Sequence, residues 1–474
     1  MDELIVRFPA RHKGLAMAVE KMRDCVVAFE TEAPKRRGVD YRAHERALAA
    51  HATEIERQAH GISLAALDVD AERVLSDGVA HVRVLRADPA EYKTRVGPVP
   101  VVRSLFRPEG KRNVKTVNTV TLRSGAVLDE WLPDTASMMA CRLAHGTSRD
   151  AERAGTIEGT LPYSHASFEK VGHAVGAKMV KHRVEIEDAL IAETEFPKNA
   201  ASVSVALDRT AMPMEEPRPR PVGRPRKNAP KKPCEVVYRM AWTGTVTLHD
   251  AEGNALATIR YGRMPHEDGE ELAETLASDA LALVQRARRL KVVTLGDGAE
   301  QLQKLLEKHV DEASFRRPIT RLVDFWHVIE KLGAALVVVI PDDAARKERI
   351  AEYRRRLCTR RDAAETILAE LRASGRENLA NKQCPVHAAI TYFENQGHLM
   401  DYVSARRDGL PIGSGNVEAT CKSLFGLRVK RPGARWKTKT GGEVITMRAH
   451  LLSHRWTRAS EIALPPPRTQ IRAA

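Results

Sequence analysis

The chain has 474 residues, 43% of them hydrophobic and 29% charged, the balance of a folded protein long enough for two or three domains. No apolar run approaches a membrane span, the start MDELIVRFPARHK lacks the basic-then-apolar plan of a signal peptide, and the six cysteines contain no C-x-x-C pair. These features disfavour a membrane protein and an exported disulfide scaffold. A net charge of +14 points to a polyanionic partner, most often nucleic acid, although solubility alone tolerates such a balance. A cytoplasmic, nucleoid-associated protein is the simple expectation.

In chain order, residues 11–33 and 41–60 carry helical apolar spacing with abundant Ala, Glu and Arg. The break APKRRGVD between them makes a helical hairpin, suited to dimerisation or simply to bundle packing. Residues 99–106 and 114–122 alternate as strands joined by RPEGKRN. They predict a small β-ribbon whose Arg107, Lys111, Arg112 and Lys115 either touch phosphates or are merely solvated. Residues 134–196 read as helices. One begins near Ser148 and ends in a glycine-containing turn through Leu161 and Pro162. Another, capped by Ser164 or Ser167, runs through Phe168, Val171 and Val175. That is the outline of a helix-turn-helix, whose second helix would bring His165, Ser167, Lys170 and His173 to bases; an ordinary helical hairpin fits equally well.

Residues 202–207 (SVSVAL) form a short apolar strand ending at Asp208. The segment 215–233, EEPRPRPVGRPRKNAPKKP, is Pro-rich and strongly basic, so it predicts an extended, solvated loop. Its core Gly223-Arg224-Pro225, with Arg220, Arg226 and Lys227 around it, resembles an AT-hook. Arginines there suit a narrow minor groove; a basic loop gripping phosphates without preference is the alternative. A strand at 235–247, a hairpin through HDAEGN to 255–260 and an amphipathic helix at 267–289 follow.

Two more apolar strands, 292–295 and 319–323, end at Asp297 and Asp324, with a helix-period segment at 299–308 between them. Strand ends are where open α/β sheets place their sites, though Asp297 could equally be an N-cap for the helix that follows. His327 lies one helical turn from Asp324, as a half-buried partner of that carboxylate or an orienting group beside a metal; Phe325 and Trp326 are expected to be packed. Residues 341–400 are helical and highly charged, with Arg354, Arg355, Arg356, Arg360 and Arg361 either on DNA or on a solvated face.

In LPIGSGNVEATCKSLFGLRVK a Gly/Ser turn opens a helix carrying Glu418, with Val417, Cys421, Leu424 and Phe425 at helical spacing. Ser414 lacks the spacing and partners of a nucleophile and reads as a turn donor. Glu418 has its own alternative, stabilisation by the helix dipole. Arg428, Lys430, Arg431 and Arg435 surround Trp436 in a strip suited to backbone contacts and stacking on an unpaired base. The tail LPPPRTQIRAA is expected to be disordered. Asp208, Asp297 and Glu418 make a hard-oxygen set able to hold two divalent ions across an in-line phosphoryl displacement.

The blocks SVALDRTAMPM (204–214), VVTLGDGAE (292–300), LVDFWHVIEKL (322–332) and LPIGSGNVEATCKSLFGLRVKRPGARW (410–436), in this order, resemble a bacterial insertion-sequence transposase of the ISKra type, in the Mutator-like group of DDE transposases. The likeness covers the second half of the chain well and the first half loosely. It implies an RNase H-like catalytic core, Mg²⁺ dependence (two ions, with Mn²⁺ as a substitute), and DNA strand cleavage and joining. It carries the DDE roles onto Asp208, Asp297 and Glu418, and places Asp324 and His327 in an auxiliary D-x-x-H motif. It also implies double-stranded DNA partners, the terminal inverted repeats and target, and a homodimer or higher oligomer on DNA.

The expected fold class is α/β: an RNase H-like core with a helical insertion domain, preceded by a mainly α-helical DNA-binding region with a small β-ribbon. The expected regions are 1–96 helical, 97–133 ribbon, 134–197 helix-turn-helix-like, 198–340 with 402–457 core, 341–401 insertion and 458–474 tail. Two features depart from the pattern. Arg209 stands beside Asp208, where relatives more often carry a small residue, and 104–125 holds no cysteine where some relatives have a zinc-ribbon-like segment, so a structural zinc is not expected. Two other classes share these features: a catalytically inactive, transposase-derived DNA-binding protein, and an RNase H-like structure-specific nuclease.

Overall fold

The computed structural model describes residues 6–35, 37–215, 235–375, 384–468 and 470–474. Most of the AT-hook-like loop, including Arg220, Arg224, Arg226 and Lys227, lies outside the described residues. The chain is a mixed α/β protein with two sheets and many helices. Its residues divide into two compact units, Met1–Lys178 with Ser460–Ala474, and Met179–Ala459.

In the first unit, α1 (Lys13–Glu32) and α2 (Tyr41–Ala65) form the hairpin that the apolar spacing predicts. The Asp40 side chain accepts the Ala43 N–H and starts α2, and Phe29 stacks on His44 with centroids 3.8 Å apart to join the two helices. Next come β1 (Arg73–Ser76), β2 (Val79–Thr94) and β3 (Gly97–Pro108). Two expectations are corrected here. Residues 1–96 are not wholly helical, and β3 pairs along its length with β2, while the expected partner 114–122 meets it at the isolated antiparallel bridge Phe106–Val117. Asp88 and Pro89 hide β2 in the sequence. The strand tolerates them because its register shifts between Arg83 and Asp88, and because β1 pairs only with Val79–Val82, leaving the Pro89 stretch with one neighbour. Asn118, meanwhile, accepts the Thr121 N–H at 2.7 Å and starts a short helix, α3 (Thr119–Ser124), where alternation suggested a strand.

Helices α4 (Pro133–His145), α5 (Ser148–Glu158) and α6 (His165–Lys181) follow. Thr147 and Asp150 form a capping box at the start of α5, and Gly159, at φ 68°, ends it. Phe168, Val171 and Val175 are fully buried on α6. The turn before α6 is anchored to the β2–β3 hairpin: Leu161 N–H donates to the Arg95 carbonyl at 2.8 Å and Tyr163 Oη to the Thr94 carbonyl at 2.7 Å. The tail is a further correction. Ile471–Ala473 pairs antiparallel with β1, and Arg123 donates to the Ile471 carbonyl at 2.8 Å. The Pro run at 465–467 blocks a helix, but the residues beyond it are free to add to a strand edge with unpaired backbone groups.

The second unit runs through α7 (Arg183–Ala192), β4 (Ser202–Glu215), β5 (Val236–His249), β6 (Ala255–Arg263), α8 (Gly269–Arg286), β7 (Lys291–Gly296), α9 (Glu300–His309), α10 (Glu312–Phe315) and β8 (Ile319–Val323). The sheet order is β6–β5–β4–β7–β8. The first two pairings are antiparallel, and β4–β7 and β7–β8 are parallel. The central strand β4 is buried on both faces for its first six residues, with Val203, Val205 and Leu207 on one face and the small Ser202, Ser204 and Ala206 on the other. Val203, Val205 and Leu207 face α8 and α9 in one core; Ala206, Leu295 and Leu322 face the other.

That second core is built by α11 (Phe325–Val339), α12 (Asp343–Thr359), α13 (Ala363–Ala373), α14 (Pro385–Gln396) and α15 (Tyr402–Arg407). The residues expected as an insertion domain thus share their apolar core with the sheet and belong to the same unit. The chain closes the sheet with α16 (Gly415–Thr420), a π-helical turn at Cys421–Gly426 and α17 (Thr438–Leu452), and α18 (Trp456–Ala463) follows. Among the described residues, no helix is long and apolar enough to cross a membrane.

Candidate active site

Register brings the aspartates together. In the parallel strands, Ala206 pairs with Leu295, and Leu295 with Leu322. Asp208, Asp297 and Asp324 each come two residues further on, so they stand at one level across three adjacent strands. They also share the parity of Ala206, Leu295 and Leu322 and so belong to the α11–α16 side of the sheet. The first helical turn of α16 brings Glu418 to the same place: its Oε1 lies 3.5 Å from His327 Nδ1.

Each carboxylate has a distinct setting. Asp324 is fully buried. Its Oδ1 caps α11 by accepting the His327 N–H at 2.7 Å, and its Oδ2 accepts the N–H of Ser414. Burial opposes its charge, but the facing His327 ring and these N–H groups outweigh that and hold its carboxyl below the usual range. The Asp324 carboxyl, 3.8 Å away, in turn raises the His327 imidazole against partial burial, with Asp297 and Glu418 adding to the effect.

Asp208 shifts the other way. Burial raises its carboxyl, with a further push from Asp297, despite the Arg209 N–H bonded at 2.6 Å and the Cys421 thiol at 3.3 Å. Asp297 does part of what the capping alternative asks, accepting the Ala299 N–H on Oδ1 at 2.8 Å. Arg209 turns away from the carboxylates: its guanidinium lies 4.7 Å from the Trp242 ring centre and bonds Gln301 at 3.0 Å.

Among the described residues, Asp324, His327 and Glu418 offer ligand atoms that all lie within 4.8 Å of one another, a spacing suited to a metal ion. Asp208 and Asp297 flank this group without joining it at that distance. Sequence reasoning missed the groups that hold the site. Tyr392 Oη donates to the Asp297 carbonyl at 2.9 Å, Gln396 to the Gly298 carbonyl at 3.1 Å, and Tyr402 Oη to the Val323 carbonyl at 3.0 Å. All three come from helices distant in sequence, where no local pattern marks them. Ser414 did carry a signal, as a turn donor; its N–H is spent on Asp324.

No protein-family model matches this chain, and no curated protein matches it. Among solved structures it is similar to one described as the Drosophila P element transposase strand transfer complex, with TM-score 0.24 and 12% identity, over 69% of this chain and 79% of that one. A likeness of that size carries no argument about activity.

The residues predicted to contact nucleic acid fall into two groups. Lys170 is exposed on α6; Lys430, Arg431 and Arg435 are exposed after the π-helical turn, with Lys430 Nζ bonding Thr210 Oγ1 on β4 at 2.7 Å. Arg428 and Trp436 are buried instead, a correction. Trp436 Nε1 donates to the Val429 carbonyl at 2.9 Å, its backbone continues the edge of β4 through Pro213 and Glu215, and Arg428 lies 5.0 Å from its ring centre. A ring so engaged is not presented to a base. Trp326, expected to be packed, is 51% exposed, with the Arg354 guanidinium 4.7 Å from its ring centre. Arg356 is buried on Glu370 at 2.6 Å and so does not face solvent.

Proposed function

We propose that the chain is a metal-dependent DNA transposase of the DDE type, akin to the ISKra kind within the Mutator-like group, that binds the ends of an insertion sequence, cuts them and joins them to target DNA. The observation that carries this reading is the alignment of Asp208, midway along β4, with Asp297 and Asp324, which directly follow the neighbouring parallel strands β7 and β8, and with Glu418 brought to them by α16. The order β6–β5–β4–β7–β8, antiparallel then parallel, supports reading the sheet as an RNase H-like core. The exposed Lys170, Lys430, Arg431 and Arg435, and the net charge of +14, support a DNA partner.

The donor set fits divalent cations. Four carboxylates and one imidazole converge, and Arg209, the neighbour of Asp208 in sequence, is engaged elsewhere. Asp208, Asp297 and Glu418 would hold two Mg²⁺ ions, which supply charge neutralisation and acidification of a water or a DNA 3′-hydroxyl. The chain's own part is orientation. Ser414 and His327 N–H groups fix Asp324, Tyr392 and Gln396 fix the loop after Asp297, and Lys430 stands beside β4 to meet a phosphate.

The test is cleavage of a labelled duplex carrying the end of the flanking element, with Mg²⁺ or Mn²⁺, by wild type and Asp297→Asn. Metal-dependent nicking that vanishes in the variant while end binding remains supports the proposal. Joining to a second duplex separates a transposase from a nuclease on the same fold. End binding without cleavage by either protein would favour a DNA-binding derivative.

A further inference from the structure

His327 presents Nδ1 to two carboxylates at once, 3.5 Å from Glu418 Oε1 and 3.8 Å from Asp324 Oδ1. Both separations exceed the ~2.7–3.2 Å of a good hydrogen bond. They come close to the edges of a coordination shell, since ligands about 2.1 Å from an ion stand roughly 3.0–3.5 Å apart. The three residues are also held from outside. Asp324 is fully buried and fixed by two backbone N–H groups, His327 and Asp324 share the first turn of α11, and Glu418 is carried by α16 just after the Ser414 turn that bonds Asp324. Groups that bond a ligand's remaining lone pairs orient it for a metal.

We infer that Asp324, His327 and Glu418 form a divalent-cation site in which the imidazole nitrogen is a direct ligand, so that this position takes Mn²⁺ in preference to Mg²⁺. The donor chemistry gives the preference: Mg²⁺ demands oxygen ligands and retains its waters, whereas Mn²⁺ and the later first-row ions accept imidazole as well. Glu418 is shared with the carboxylate pair Asp208 and Asp297, so the inference rests on the proposed role of this site and assigns its two metal positions unlike donor sets. Three protein ligands leave further coordination positions for water or a phosphate oxygen.

The test uses the full-length protein with Mn²⁺ alone, followed by electron paramagnetic resonance. Wild type is expected to bind Mn²⁺ with a ¹⁴N modulation in the spin-echo signal, and to resist displacement by an equal concentration of Mg²⁺. His327→Gln should lose the modulation and bind Mn²⁺ about tenfold more weakly or worse, as losing even an outer-shell partner of a metal ligand costs 10–100-fold. Asp208→Asn should keep the modulation, which separates this position from the one that Asp208 and Asp297 hold, and an unchanged thermal melt of His327→Gln guards against misfolding as the cause. Bound Mn²⁺ without nitrogen modulation in wild type, or modulation that persists in His327→Gln, overturns the inference. Mg²⁺-supported DNA cleavage alongside that result would leave the transposase reading standing. Nitrogen-ligated Mn²⁺ with no cleavage of any end would do the reverse.

Discussion

Tyr392 donates its hydroxyl to the backbone carbonyl of Asp297 at 2.9 Å, and its ring lies where a side chain on Gly298 would have to go. Gly298 adopts φ +87°, and a Cβ there would fall 2.8 Å from the Tyr392 ring, so the turn needs glycine on both counts. Tyr392→Phe should cost about 1 kcal/mol of stability, the ordinary worth of one hydrogen bond. It should slow metal-dependent DNA cleavage while leaving end binding unchanged, because the loop carrying Asp297 loosens. Cleavage at the wild-type rate would show that the loop needs no such tie.

A buried ion pair ties α7 to the edge strand β6. Arg263, 2% exposed, bonds Glu187 at 2.9 Å, with the more exposed Glu271 at 3.6 Å. Glu187→Gln leaves a buried guanidinium undercompensated and should destabilise the second unit by about 3 kcal/mol. Replacing both residues with apolar side chains of similar volume should cost far less. Urea denaturation of the single and double variants measures the difference; equal losses in both would contradict the argument.

Two buried groups give opposite pH dependences. Burial raises Asp279, which accepts the Tyr261 hydroxyl, to about 7. The folded state therefore binds its proton more tightly than the unfolded chain. Its contribution is full below the ordinary aspartate range and is lost as pH rises through about 7, by at most about 4 kcal/mol. Burial lowers His450 to about 3, helped by Arg263 and Arg455. The folded state resists its protonation, so stability is full above the ordinary histidine range and falls as pH drops toward 3. Between pH 4 and 6.5, roughly, the two slopes oppose each other. Asp279→Asn should be more stable than wild type at pH 8 and should lose stability on acidification below about 6.5, where wild type changes less. Thermal melts across that range decide it; parallel curves for the two proteins would refute the assignment.

Cys421 is pushed up to about 12 by burial and by the carboxylate of Asp208. Its thiolate fraction at neutral pH should be about a thousandfold below that of an ordinary cysteine. A maleimide added to the native protein should modify Cys421 far more slowly than the same protein in denaturant, read by mass spectrometry of the peptide around it. Rapid native labelling would mean that the contact with Asp208 opens readily.

Much of the second unit was legible from local pattern. Strands 292–295 and 319–323 lie within β7 and β8, and 299–308 overlaps α9, because short apolar runs broken by helical periodicity report burial directly. The first unit misled at two places. Residues 114–122 alternate like a strand, yet Asn118 caps a helix there, and residues 79–94 form a long strand despite Asp88 and Pro89. A side-chain cap and a one-sided strand are decided by neighbours, which periodicity does not report.

By itself the sequence determined that Asp297 and Asp324 follow the apolar strands β7 and β8 and that a glycine turn precedes Glu418, since each follows from short-range pattern; the strand expected to end at Asp208 instead runs on through it to Glu215. Only the tertiary structure decided that the three aspartates share one level, that Glu418 meets His327, that Tyr392, Gln396 and Tyr402 brace the loops beneath them, and that Trp436 is buried while Trp326 is exposed. Those facts depend on strand register and on packing between segments up to two hundred residues apart, roughly the separation of Asp208 and Cys421. Local periodicity carries which face of an element is buried; it does not carry which other element lies against it.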